Sequence, residues 1–284
     1  ADAEIAALCN GTAAHSLEMD DYHRAATVHP GAVVVPAALA VAQEQKVDGA
    51  RLLASVIAGY EVAIRVGVAT SGVLYGFGFH PTPVVGVFGA AAAAAKAMGL
   101  DTERTAHAIA LAGTRASGLA AHKVRGDWSK RLQAGTAAAQ GLGAARLAAA
   151  GFTGPLEVVE GVYGFLFAYA RGKAQVEDIL EGLGERFHTP DVSFKPYPSC
   201  RFTHAPMDAL LAAQRQGNVR PEEIRRIECS VHAQAMASVM TPVQRKYRPE
   251  TTVDAQFSLP YCLSVVALRG QVPLEVFQPP ALGD

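Results

Sequence analysis

Gly31-Ala-Val33-Val34-Val-Pro36-Ala37-Ala38-Leu-Ala-Val41-Ala-Gln-Glu-Gln45, followed after Asp48 by Leu52, Leu53, Val56, Ile57, Tyr60, Ile64 and Val68, repeats apolar residues at intervals of three and four. That period is helical, whereas a half-buried strand would alternate. Pro36 is read as tolerated in the first turn, and Asp48 as the cap of a second helix that ends before Gly72. Outward from this pair the same texture continues. The Ala90 to Ala95 run ends at Gly99, a C-cap residue, and Asp101 caps a further helix through Ala112. An Ala/Gly helix from about Leu132 to Ala150 is stopped by Gly151, and the two Ala-rich segments show no fixed-period repeat. Residues 1–188 are therefore expected to form a large all-helical domain.

Near Thr189 the texture changes, with Pro190, Pro196 and Pro198 crowded together before a helical stretch from Ala205 to Gln216. Ile227, Cys229 and Val231 then alternate with Glu228, Ser230 and His232, a strand signature. A strand and a helix are expected over Ser258 to Leu268. Residues 189–284 thus read as a smaller α+β domain, truncated because these elements and the Pro279-Pro280 ending do not complete a sheet. The fold class expected is mainly α.

Half of the 284 residues are apolar but only 7% are aromatic, so the core must be built from Ala, Val and Leu. A net charge of −1 argues against nucleic-acid or polyanionic-membrane partners. Cys9, Cys200, Cys229 and Cys262 are far apart, without a CxxC pair, which fits a reducing cytoplasm. The apolar stretch Pro83 to Leu100 is mostly Gly and Ala with Lys96 inside it, so no membrane span is read. The start, Ala-Asp-Ala-Glu, has neither Met nor a leader pattern and looks processed, trimmed or incompletely covered.

Proton-handling groups concentrate in His15-Ser-Leu-Glu18-Met-Asp20-Asp21-Tyr22-His23, followed by His29-Pro30-Gly31. Continued as a helix, His15, Glu18 and Tyr22 would share a face with Asp21 beside them. The set is either an acid–base site at a helix end or a solvated terminus with capping side chains. Gly78-Phe79-His80-Pro81-Thr82 places a His before a small-residue helix, where backbone N–H groups could meet an anion. The alternative there is a buried His bonded to a loop carbonyl. Asp127-Trp128-Ser129-Lys130-Arg131 puts cations at a helix start, against the macrodipole. Lys195-Pro-Tyr197-Pro-Ser199-Cys200-Arg201-Phe-Thr-His204 gathers cations, a thiol and an imidazole at the domain boundary. Gly76-Phe-Gly78 lacks the third Gly of a dinucleotide fingerprint, and no phosphate loop, nucleophile elbow or HExxH occurs. His15 with Glu18 lacks further marked ligands, so neither metal nor organic cofactor is expected.

Taken in order, Asn10-Gly-Thr-Ala-Ala-His15 through Asp20-Asp21 to His29-Pro30-Gly31, Gly78-Phe-His-Pro-Thr, Lys130-Arg-Leu-Gln-Ala-Gly and Lys195-Pro-Tyr-Pro-Ser-Cys200-Arg resemble the MmgE/PrpD family. That family includes 2-methylcitrate dehydratase, iminodisuccinate epimerase and cis-aconitate decarboxylase. The likeness covers nearly the whole chain. It implies an all-helical domain, a smaller α+β lid domain, a cleft between them, a homodimer and catalysis without metal or organic cofactor. It also implies that this chain lacks the family's N-terminal helices and much of its C-terminal part. The family's acidic residue falls on Glu18, the second of its paired aspartates on Asp21, its His before Pro-Gly on His29, and its second His on His80. Its Lys residues fall on Lys130 and Lys195. Tyr22 stands where the decarboxylase has Thr, its loop before His29 is one residue shorter, and Cys200 stands where it has a His. These departures point away from cis-aconitate decarboxylation, and the boundary motif resembles more the epimerase and relatives of unknown substrate.

Taking a proton from the carbon beside a carboxylate leaves a dianion, so such a site needs a base and several cations. The catalytic set expected is Glu18, Asp21, Tyr22, His29 and His80, with one imidazole as base and the other as acid. Glu18 or Asp21 would orient an imidazole, and Tyr22 could donate a proton. Lys130, Lys195, Cys200, Arg201 and His204 are the expected substrate-binding residues. The function expected is a cofactor-independent, cytoplasmic, homodimeric lyase or isomerase, of the hydro-lyase (2-methylcitrate dehydratase-like) or epimerase type, acting on a small di- or tricarboxylate. The rival is a non-catalytic helical scaffold or carboxylate-binding protein.

Overall fold

The computed structural model describes residues 2–282, with Arg125 described by its backbone alone. Its first helices are α1 (Ala3–Ala14), α2 (Gly31–Gln45), α3 (Gly49–Ala69), α4 (Pro81–Met98) and α5 (Thr102–Gly113). They are followed by α6 (His122–Arg125), α7 (Ser129–Ala149), α8 (Phe165–Ala170) and α9 (Arg201–Gly217). The chain continues with α10 (Ala233–Ala235), α11 (Val243–Tyr247), α12 (Thr252–Gln256) and α13 (Leu259–Arg269). Strands β1 (Asp21–Tyr22) and β2 (Ser193–Phe194) pair antiparallel, with Asp21 opposite Phe194. The protein is mainly α, with a small C-terminal domain.

The helix ends follow the side chains that satisfy orphan backbone groups. Asp48 caps α3 by accepting from Arg51 N at 2.8 Å, Asp101 caps α5 through Arg104 N at 2.8 Å, and Gly99 closes α4 with φ 72°. Pro36 lies in the second turn of α2, not the first, and the helix runs through it. Pro36 is buried there, and its ring leaves one helix carbonyl without an N–H donor.

Two compact units form. Unit 1 comprises residues 2–16, 20–120 and 129–194, and unit 2 comprises 17–19, 121–128 and 195–282. The main break in the chain falls between residues 194 and 195, and two short segments, 17–19 and 121–128, join the C-terminal unit. Residues 17–19 join unit 2 because Gln256 Nε2 donates to the Leu17 carbonyl at 3.3 Å and Lys195 pairs with Glu18. Residues 121–128 join it partly through Lys123 Nζ, which donates to Ser238 Oγ at 3.3 Å.

In unit 1, α4 is buried along almost its whole length and packs against α2, α3, α5 and α7. Small residues make this possible: a Cβ placed on Gly89 would lie 2.5 Å from the Gly59 carbonyl oxygen of α3. Gly89→Val is expected to destabilise unit 1 by about 1–3 kcal/mol through overpacking, against a gain of a few tenths from helix propensity. A lower denaturant midpoint would show it; an unchanged midpoint would mean the helices do not meet backbone to backbone. By length and composition α3 could cross a membrane. Its Glu61 and Arg65 are nevertheless buried and bonded within unit 1, Arg65 donating to the carbonyls of Ile179, Glu181 and Arg186. Glu61 accepts from the backbone N–H groups of His188 and Thr189 at 2.7 and 2.8 Å, which holds the segment leading into β2.

Unit 2 is built on α9 packed against α13, with Met207, Val239, Cys262, Val266 and Phe277 at its core. The alternating stretch Ile227 to Val231 is not a hydrogen-bonded strand, and Ile227 through Ser230 are all exposed. Alternation sets a face, but a strand also needs a neighbour's backbone, and none among the described residues pairs with it. No strand precedes α13 either, since Ser258 caps that helix by accepting from Tyr261 N at 3.0 Å.

Candidate active site

The helix expected through the first motif stops at Ala14, with His15 as its C-cap, so His15, Glu18 and Tyr22 do not share a helical face. Polar side chains draw the backbone out of the helix. His15 Nδ1 lies 2.5 Å from Asp20 Oδ2, and the Asp21 carboxylate accepts from Gly31 N at 3.0 and 3.1 Å, covering the start of α2. Glu18, between them, is left-handed with φ 57°, a conformation that costs an L-residue about 1–2 kcal/mol.

Three imidazoles of unit 1 gather around this turn. The His15 ring lies 5.2 Å from that of His29 and 5.6 Å from that of His80, stacked on the latter. The Tyr22 ring lies 5.2 Å from that of His29. Each histidine is held through Nδ1. His29 Nδ1 donates to the Asp21 carbonyl at 2.6 Å, with Asp20 Oδ2 at 3.5 Å, and His15 Nδ1 faces Asp20. His80 Nδ1 meets Gln133 Oε1 at 2.8 Å, and Gln133 Nε2 donates to the Leu119 carbonyl at 3.0 Å. Because that carbonyl only accepts, the Gln133 amide is fixed with its oxygen toward His80, and Nδ1 of His80 must carry the proton. In the neutral form of each ring Nε2 is then the basic nitrogen.

Lys130 is buried, at 2% exposure, one turn before Gln133 on α7. That i, i+3 spacing puts the ammonium-bearing residue on the same helix face as the side chain that fixes His80. The Pro81 and Pro83 rings that open α4 have no N–H, which depletes the anion cradle expected beside His80. Asp21 was one of two residues expected to orient an imidazole, and its backbone carbonyl accepts from His29 Nδ1. Its carboxylate takes the Tyr60 hydroxyl at 2.7 Å, and burial together with that negative charge raises the Tyr60 pKa, keeping the phenol protonated.

Glu18, Lys195, Cys200, Arg201 and His204 fall in unit 2. Lys195 Nζ donates to Glu18 Oε2 at 2.7 Å, with both side chains buried, so this oxygen of Glu18 serves a lysine. Burial raises the Cys200 thiol, which makes it a poor nucleophile. Arg201 is exposed at the first position of α9. His204 is fully buried; its Nε2 donates to the Ser199 carbonyl at 3.2 Å and its Nδ1 has no hydrogen-bond partner among the described residues. It reads as a core residue. Burial pushes its pKa down to about 4. An unfolded His binds its proton near pH 6.5, so this term is absent above that pH. Stability is expected to fall by up to about 1.4 kcal/mol per pH unit between pH 6.5 and 4, the window where only the unfolded chain is protonated. Urea unfolding across that window should show the slope, and His204→Gln should flatten it.

His23, inside the first motif, faces away toward His188 and Asp191, with ligand atoms of the three within 4.8 Å. The Ala26 N–H donates to His23 Nδ1 at 3.2 Å, which leaves the ring proton on Nε2. This donor set does not suit a metal ion. His15, Asp20, Tyr60 and Gln133 were not among the expected site residues. His15 and Asp20 stood in the quoted motif and Gln133 in Lys130-Arg-Leu-Gln; Tyr60 carried no signal beyond its place in the apolar period of α3.

The MmgE/PrpD N-terminal domain matches residues 1–177 and the MmgE/PrpD C-terminal domain residues 197–284. The chain belongs to the MmgE/PrpD family. Similar members include the cis-aconitate decarboxylase-like protein oryM of Aspergillus oryzae, 33% identical over 98% of this chain and 61% of that protein. A cis-aconitate decarboxylase of Aspergillus terreus is 30% identical over 96% of this chain and 58% of its own length. The mouse cis-aconitate decarboxylase is 31% identical over 96% and 56%. This MmgE/PrpD chain spans about three fifths of the length of these curated relatives.

Proposed function

We propose that the protein is a lyase or isomerase that moves a proton at the carbon beside a carboxylate of a small di- or tricarboxylate, with His29 and His80 as the acid–base pair and no metal or organic cofactor. The observation that carries this reading is the group of three imidazoles in unit 1, each held through Nδ1 so that Nε2 handles the proton. His15, placed between the other two rings, extends the pair. The buried cation Lys130 would stabilise the dianion formed when the proton leaves. In dehydration the base takes the carbon proton and the acid gives one to the departing hydroxyl. In epimerisation the acid returns a proton to the opposite face. In decarboxylation, the reaction named for the relatives, carbon dioxide leaves and the acid protonates the carbanion. Dehydration and epimerisation use both members of the pair and decarboxylation only the acid, and we favour the first two because Tyr22 and Cys200 replace residues of the decarboxylase pattern. The cytoplasm and a homodimer complete the proposal.

The test is incubation in deuterated water with citrate, 2-methylcitrate, cis-aconitate, malate and iminodisuccinate, followed by proton NMR. Elimination or deuterium exchange that vanishes in His80→Ala supports the reading. Carbon dioxide release from cis-aconitate would replace it with the decarboxylase reading, and silence across the panel would favour a non-catalytic scaffold.

A further inference from the structure

Thr82 closes the Gly78-Phe-His80-Pro81-Thr82 motif, and the acid–base pair leaves it without a role. Its side chain is fully buried in the first turn of α4, and its Oγ1 accepts from the backbone N–H of His29 at 3.2 Å, across 53 residues of chain. Thr82 thus ties one imidazole-bearing residue to the segment that carries the other. The connection is stiff. Pro81, the one residue between His80 and Thr82, has φ fixed by its ring, and the branched Thr side chain is restricted at χ1. On the other flank His80 N donates to the Gly118 carbonyl at 3.1 Å and Ala120 N donates to the Gly78 carbonyl at 2.9 Å, which anchors the motif to residues 118–120. His29 is held in turn through Nδ1 by the Asp21 carbonyl at 2.6 Å, so its backbone and its ring are both bonded. All of these residues belong to unit 1.

We propose that Thr82 is a positioning residue that sets the spacing between His29 and His80. The inference rests on the acid–base reading, in which both rings act on one small substrate and must stand at a fixed separation. A misplacement of about 1 Å can cost roughly a hundredfold in rate. Thr82 acts through the His29 backbone, not on the substrate. Its hydroxyl, and not its bulk, is what the role requires: valine has nearly the same shape but takes the acceptor away from this buried N–H.

The experiment compares wild type with Thr82→Val and Thr82→Ser by kinetics on the substrate found in the NMR panel, by urea unfolding, and by the ring Cε1–H resonances of selectively labelled histidine. In Thr82→Val kcat is expected to fall about ten- to a hundredfold with KM little changed, and the His29 resonance to shift. Thr82→Ser keeps the acceptor and should restore both. Should Thr82→Val fail to fold, Thr82→Ala takes its place against Thr82→Ser. A lower urea midpoint with wild-type kcat and an unmoved His29 resonance would reduce the hydrogen bond to a structural tie and overturn the proposal, as would Thr82→Ser behaving like Thr82→Val. If wild type is silent across the NMR panel, the acid–base reading falls by itself. A His29 resonance that moves in Thr82→Val and returns in Thr82→Ser then still supports the spacing role, and one that stays in place overturns it.

Discussion

His80→Gln is expected to lower turnover on the substrate found in the NMR panel by about 10²- to 10⁴-fold, the usual worth of a positioned acid or base. Glutamine keeps a hydrogen-bonding group beside Gln133 but cannot exchange a proton, so the thermal midpoint should change far less than the rate. A companion variant separates chemistry from positioning. Gln133→Leu removes the acceptor that lies 2.8 Å from His80 Nδ1 and the donor to the Leu119 carbonyl. The tautomer is then no longer imposed. One neutral hydrogen bond is worth about 1 kcal/mol, so kcat should fall by roughly five- to tenfold, with KM little changed. Wild-type turnover in His80→Gln would remove His80 from the acid–base pair, whatever its neighbours.

Lys195→Met should be the most destabilising single change in unit 2, by about 3–5 kcal/mol, because it leaves the Glu18 carboxylate buried without this cation. The two side chains are 1% and 4% exposed and meet at 2.7 Å. An exposed pair at the same distance would contribute at most about 1 kcal/mol. Glu18 is also held with φ 57°, so loss of the pair releases the turn at 17–19. Lys195→Met/Glu18→Gln should recover much of the loss, since the buried carboxylate charge is removed together with its cation, and the difference between single and double variants measures the coupling. Urea unfolding reads both. A cost under about 1 kcal/mol for the single variant would mean that water reaches the pair.

The helical period, the Asp48, Gly99 and Asp101 caps and the motifs of the family were legible in the chain alone because they are local. A helix bond spans four residues, and a cap reads its own next turn. On that basis α2, α3, α4, α5 and α7, and the candidacy of His29 and His80, follow from sequence. The strand expected at Ile227 to Val231 did not form, because a strand is completed by a partner that its own residues do not specify. The site shows the same limit. Asp20 meeting His15, Gln133 fixing His80 and Glu18 turning away to Lys195 were decided by tertiary structure. Those last two partners lie 53 and 177 residues apart in the chain, and Tyr60 lies 39 residues from Asp21. Residue type alone cannot choose among several carboxylates near several imidazoles. Packing chooses, since each buried polar group must find its partner where the helices bring one within about 3 Å.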